Sequence, residues 1–203
     1  EGNFAHDEPF GSPCSVSYAS FSPQLSKSFN NIAFWQLKME AEDKVLEKLK
    51  KFSKTMPHLK DGRIDYHNAK KAFVVTCFAR YNDEILLLKR SHKVWTYKGK
   101  WNVIAGYLDE IKPLRKIALK ELYEETRIAK EKVKKISIAE PFDFHDKEIG
   151  TTFIVHPVLI ELKEKPKIKL DFEHTESKWV KKDDFGKYDA APNLMEGAKR
   201  VLK

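Results

Sequence analysis

Three carboxylates near the end of one predicted helix, Glu121, Glu124 and Glu125, are the residues of this chain best suited by type and spacing to do chemistry. They lie in the run from Gly106 to Ile128, GYLDEIKPLRKIALKELYEETRI. Pro113 suits a first helical turn, and Leu114, Ile117, Ala118 and Leu122 recur behind it at helical spacing. The pattern predicts a helix of about four turns. At about 100° per residue the three glutamates fall on the stripe of Leu114, Ile117 and Ala118, with Lys116, Lys120, Tyr123 and Arg127 opposite. The inward stripe therefore passes from apolar to acidic. Carboxylates at a helix C-terminus repel one another and oppose the macrodipole, at a cost of a few tenths to about 1 kcal/mol per charge unless a cation compensates. Two readings follow. One is a solvated helix end whose acids are matched by lysines; the other is a seat for a hard divalent cation with oxygen ligands, Mg²⁺ or Mn²⁺.

The same stretch resembles the Nudix box, in which a glycine, a glutamate and the run Arg-Glu-aliphatic-x-Glu-Glu-x-Gly-aliphatic stand at fixed spacing. Gly106 opens it, and Glu121, Leu122, Glu124, Glu125 and Ile128 occupy their places. Three positions depart. Lys120 replaces the arginine that orients the carboxylates in the family, keeping the charge without the planar fork. Arg127 replaces the final glycine, and a left-handed turn there would strain it by about 1 kcal/mol. Lys112 replaces the first glutamate, with Asp109 and Glu110 near enough in the same loop to take over.

The resemblance implies an α/β fold, the Nudix-type α/β/α sandwich with a mixed β-sheet, over residues 70–203. It also implies that Glu121, Glu124 and Glu125 hold Mg²⁺ or Mn²⁺, that Glu121 or Glu124 acts as base with Lys120 as its orienting cation, and that Gly106 lies beside the substrate. The family often adds a late carboxylate, for which Glu173 and Glu176 in LDFEHTESKWV are candidates, and a basic strand end that meets phosphate, where Lys89 and Arg90 stand. A solvated strand end accounts equally well for either cation.

Other elements must position these residues. Residues 72–79 (AFVVTCFA) predict a buried strand, Asn82 and Asp83 a turn, and residues 84–90 (EILLLKR) the hairpin partner. The loop over residues 91–100 mixes bases with Trp95 and Tyr97, whose rings suit a nucleobase or ribose, or else cover for the sheet. A strand over residues 102–105 then leads into the box. Further strands are predicted over residues 135–140, 143–145 and 152–162, a later core strand around Trp179 and Val180, and a closing helix over residues 193–202. Upstream, residues 39–69 form a helix with Val45, Leu46, Leu49 and Phe52 on one face, followed by a connector. Residues 1–38 are an irregular extension whose only charges are Glu1, Asp7, Glu8, Lys27 and Lys38. Met39 is expected to be the natural start and the extension not native; the aromatics Phe4, Phe10, Phe21, Phe29, Phe34 and Trp35 offer the alternative of a binding arm.

Composition narrows the function classes. A content of 41% hydrophobic residues supports one sizeable core. The net charge of +8 is spread among interspersed acids, a solvated surface that favours anionic small molecules over a nucleic-acid stripe. Cys14 and Cys77 give neither a disulfide framework nor zinc spacing, no apolar run has membrane-span length and no secretory signal is visible, so a cytoplasmic location is expected. The resulting expectation is a metal-dependent hydrolase cleaving a diphosphate linkage in a nucleotide, nucleotide sugar or ADP-ribose type of substrate, with homodimers frequent in the family. One rival is a non-catalytic Nudix-fold sensor of nucleotide or RNA, motivated by Lys112 as a built-in cation. Another is an isoprenoid diphosphate isomerase, which leans on a catalytic cysteine that Cys77, inside an apolar strand, is poorly placed to supply.

Overall fold

The computed structural model describes residues 42–202; the expected extension over residues 1–38 and the start at Met39 lie outside them. Strand β1 (Lys71–Tyr81), with its near-continuous apolar run FVVTCFA, has the composition of a strand covered on both faces, and it lies at the centre of the sheet. Beside it β7 (Thr151–Leu162) runs parallel, paired from Lys71↔Thr152 to Arg80↔Glu161. The other pairings among the described strands are antiparallel. Strand β2 (Glu84–Arg90) meets only the end of β1, after a turn in which Asn82 accepts a φ of 53°. Strand β4 (Ile104–Tyr107) takes β1 from Val74 to Cys77. Strands β5 (Val133–Ile138) and β6 (Phe142–Asp146) share the far edge of β7, and β3 (Trp101–Asn102) and β8 (His174–Lys181) pair with β2.

Alternation along the strands deals side chains to two helical layers. Val75, Cys77, Ala79, Leu86, Leu88, Val158 and Ile160 meet Leu114, Ile117, Ala118 and Leu122 of helix α2 (Leu114–Thr126), together with Leu49 of helix α1 (residues 42–53). On the other face Phe78, Ile85, Leu87, Leu159 and Val180 meet Leu194 and Ala198 of helix α3 (Leu194–Val201). The architecture is the expected mixed-sheet α/β/α sandwich. One strand differs from expectation: in place of residues 102–105, Trp101–Asn102 follows β2 and Ile104–Tyr107 crosses to β1, with buried Val103 bridging the step. The cause is that β1 and β2 part beyond their turn. Among the described residues no helix is long and apolar enough to cross a membrane.

Both ends of α2 are fixed by contacts. Glu42 of α1 accepts the backbone N–H of Arg115 at 2.8 Å and its Nε at 3.1 Å, supplying an acceptor to the first turn, while Arg115 Nη1 donates to Ile136 O. At the other end Arg127 has φ 59° and ψ 21°, its N–H donating to Tyr123 O and its guanidinium lying 5.2 Å from the Tyr123 ring. The box's missing glycine thus sits where a left-handed residue is required. Arg127→Gly should raise the urea midpoint without changing the m-value. The relief of about 1 kcal/mol is partly offset by the lost cation–π contact of about 0.5 kcal/mol. A lower midpoint would show that the ring contact outweighs the strain.

Candidate active site

A cleft of about 320 Å³ opens beside the crossover from β3 to β4. Lys120, Glu121, Glu124 and Glu125 of α2 line it, as do Thr76 of β1, Arg90 of β2, Asn102 of β3 and Gly106 of β4. Tyr97, Asp109, Asp171, Glu173 and Asn193 reach it from loops, and Arg63 from the connector before β1.

Glu125 continues the buried stripe past Leu122 and is only 4% exposed. Its Oε1 accepts the Ala105 N–H at 3.1 Å, whereas its Oε2 has no hydrogen-bond partner and lies 3.5 Å from His174 Nε2. Burial pushes this carboxyl well above the ordinary carboxylate range despite the Ala105 N–H, with Glu121 and Glu173 adding repulsion. Glu121 is pushed up to about 7 by burial, opposed by Lys120 and reinforced by Glu124, Asp109 and Glu173. Its carboxylate rests on bare backbone: a Cβ at Gly106 would come within 2.5 Å of Oε2 and 2.7 Å of Oε1. Glu124 stands half-exposed on the rim.

Lys120 differs from the helical-wheel expectation. Its ammonium turns into the cleft, 3.0 Å from Glu110, 3.9 Å from Glu124 and 4.0 Å from Glu121. Partial burial lowers its pKa, but these three acids together hold it above the ordinary lysine value. Glu110 also pairs with Lys112, two residues further along the same loop. Hydrogen bonds from Lys112 and then Lys120 keep the Glu110 carboxyl below its usual range.

A bulge sorts the remaining candidates. The β2–β8 register shifts between Lys89 and Arg90, which face Glu176 and His174 respectively and leave Thr175 unpaired. Arg90 follows Leu86 and Leu88 to the cleft side by strand alternation, and the bulge turns His174 there as well, buried, while Lys89 and Glu176 pair with each other at 2.6 Å on the exposed side. Lys89 and Glu176 therefore stand outside the cleft, whereas Glu173, in the loop before β8, lines it with a pKa raised by burial and then by Asp171. Trp95 also stands outside, 67% exposed and stacked on His67 at 5.7 Å. Tyr97 lies within, at φ 54°, a strained conformation for a bulky residue, its hydroxyl donating to Asp146. Sequence reasoning missed Arg63, Thr76, Asn102, Asp171, His174 and Asn193.

The donor set fits a hard divalent ion. It is all oxygen, and one donor, Glu125 Oε2, is a buried oxygen without a hydrogen-bond partner. Among the described residues no three Asp, Glu, His or Cys side chains already converge on one point. Lys120 supplies the compensating charge in the structure, so an ion would compete with it for Glu121 and Glu124. Thr76 Oγ1 and Asn102 Oδ1 are likewise buried in the cleft wall without partners, and a bound group can satisfy them.

The sequence profile described as NUDIX domain matches residues 70–203. No curated protein matches the chain in sequence. Three solved structures of similar fold illustrate the range. The MutT protein from Methanosarcina mazei Go1 aligns with a TM-score of 0.54 and 24% identity over 66% of this chain and 94% of that one. The C. elegans Ap4A hydrolase binary complex aligns at 0.50 and 23%, over 64% and 93%. The NUDIX domain of Shewanella oneidensis NrtR complexed with ADP ribose aligns at 0.51 and 16%, over 66% and 89%. At these identities the likeness is one of fold.

Proposed function

The chain belongs to the NUDIX domain family, and from that premise we propose that it is a metal-dependent hydrolase of a diphosphate linkage in a nucleoside diphosphate derivative. The observation that carries the reading is the buried, unpartnered oxygen of Glu125 beside a Glu121 carboxylate seated on Gly106. Glu121, Glu124 and Glu125 would hold Mg²⁺ or Mn²⁺, which when bound supplies positive charge to phosphate oxygens and activates water. Arg90 and Arg63 present cations to the phosphates, Thr76 and Asn102 offer hydrogen bonds to the nucleoside part, and Tyr97 packs beside it. Glu121, with a pKa of about 7, or Glu173, also raised, accepts the proton of the attacking water. Lys120 fixes the acidic groups around it. We place the protein in the cytoplasm, where a thiol such as buried Cys77 stays reduced.

The test is release of phosphate or monophosphate from nucleoside triphosphates, nucleotide sugars, ADP-ribose and dinucleoside polyphosphates, with Mg²⁺, Mn²⁺ or chelator. Turnover of one class that chelator abolishes is expected. Silence from folded protein across the panel would overturn the reading. Binding that persists in chelator without turnover would favour a non-catalytic sensor, for which the cations Lys112 and Lys120 among the acids are the supporting observation.

Metal affinity should also depend on pH. A carboxyl at about 7 keeps its proton in mild acid, so an ion must displace it. Mn²⁺ affinity should rise about tenfold per pH unit for each proton displaced, levelling off only once both the Glu121 and the Glu125 carboxyls have ionised. Calorimetric titrations in buffers of different ionisation enthalpy would count the released protons, and a flat profile would show the carboxylates already ionised.

A further inference from the structure

We propose that His174, held by Asp171, is a positioning residue for Glu125, fixing its outward oxygen and thereby preorganising the metal seat. The inference rests on the metal-dependent reading above. Its ground is a buried chain of three side chains, of which the roles so far described use only Glu125. The side chains of His174, Glu125 and Asp171 are 1%, 5% and 15% exposed. Asp171 Oδ1 lies 3.0 Å from His174 Nδ1 and also accepts the Glu173 N–H at 3.0 Å. Nδ1 is thus turned to Asp171, and the ring's other nitrogen faces Glu125.

The two oxygens of Glu125 are thus held differently. Ala105 N–H fixes Oε1 from the sheet, and His174 Nε2 stands 3.5 Å from Oε2, a packing contact that limits where this oxygen can turn while leaving it without a hydrogen bond. The support is itself anchored, because Ser91 donates its N–H to Glu173 O at 2.7 Å and its hydroxyl to Phe172 O at 3.0 Å. The bulge opposite Arg90 completes the arrangement by turning His174 inward. Groups that orient a ligating side chain contribute about 10-fold to 100-fold in metal affinity.

The experiment is Mn²⁺ binding followed by electron paramagnetic resonance without substrate, on the full chain and on His174→Gln, His174→Asn and Asp171→Asn. Circular dichroism establishes folding in each. A glutamine places an amide nitrogen near the position of Nε2 and reaches Glu125; an asparagine matches Nδ1 and does not. His174→Asn should weaken binding by about tenfold or more, Asp171→Asn in the same direction, while His174→Gln stays within about threefold of the parent. Wild-type affinity in His174→Asn, or equal losses in the Asn and Gln variants, would overturn the proposal. Should His174→Asn not fold, Asp171→Asn decides, because it leaves the imidazole in place; unchanged affinity there refutes the role. Absence of Mn²⁺ binding by the parent chain would remove the metal reading and this inference together, whereas parent binding with indifferent variants removes this inference alone.

Discussion

Glu125→Gln should lower kcat by about 10³-fold, equivalent to about 4 kcal/mol of lost transition-state stabilisation, while raising the thermal midpoint at neutral pH. Both effects come from the same buried oxygen. The amide keeps the shape of the side chain and the acceptor for Ala105 N–H, but it removes the negative charge that a divalent ion requires. Stability moves the other way because burial raises the Glu125 pKa, so the folded chain binds that proton more tightly than the unfolded one. The associated stabilisation is fully present below the ordinary carboxylate range and is lost as pH rises through the folded-state value. The glutamine cannot ionise and escapes that loss, so the gap in midpoint between variant and parent should narrow in acid. Steady-state kinetics on the substrate found by the panel, with calorimetric melts across pH, would check both halves. Unchanged turnover would remove Glu125 from the metal seat.

Gly106→Ala should cost about 10²-fold in kcat with little change in stability. The backbone at Gly106 is ordinary strand, paired with Val75, so conformational strain is not the cause. The added carbon would intrude on the Glu121 carboxylate, 2.5 Å from its Oε2, and a flexible side chain would give way before the sheet does. Glu121 would then be displaced by a fraction of an ångström or more, enough to misplace a reacting group. Combining the change with Glu121→Asp, whose carboxylate is withdrawn by one methylene, tests this: the double variant should lose no more than Glu121→Asp alone. Full activity in Gly106→Ala would show that the exact seat of Glu121 does not matter.

The parts legible in the sequence are those that local chemistry determines. The period of Leu114, Ile117, Ala118 and Leu122 gave α2, and the Asn82–Asp83 turn set the boundary of β2. The helical stripe also picked out the three glutamates, and the family resemblance supplied the sandwich. A helical wheel places Cα atoms, however, and a lysine stem is long enough to bring the Lys120 ammonium round to the acids on the other side. Lys89 and Arg90 part by ordinary strand alternation, but Glu176 and His174, two residues apart, face opposite ways because of a bulge, which depends on how β2 and β8 align and leaves no mark in either segment alone. Thr76 and Asn102 look like ordinary strand residues; their significance is that nothing satisfies them, a property of the assembled cleft. The same holds for Glu42, which caps α2 from another helix.

The parallel pairing of β1 with β7 bears on how the chain reaches this state. Arg80 and Glu161 are 81 positions apart, and between the two strands lie α2, the box loop, Arg90 and Tyr97. Bringing such distant strands together closes a long loop before the central pair yields any stabilisation, which places the fold among those of high contact order and slow assembly. During synthesis β1 emerges long before its parallel neighbour, and one edge of its apolar run must wait unpaired until β7 has left the ribosome. The three glutamates are thus made early and seated late: β2 and β4 can pair with β1 before α2 is made, but the sheet beneath the helix is complete only when the far strand arrives.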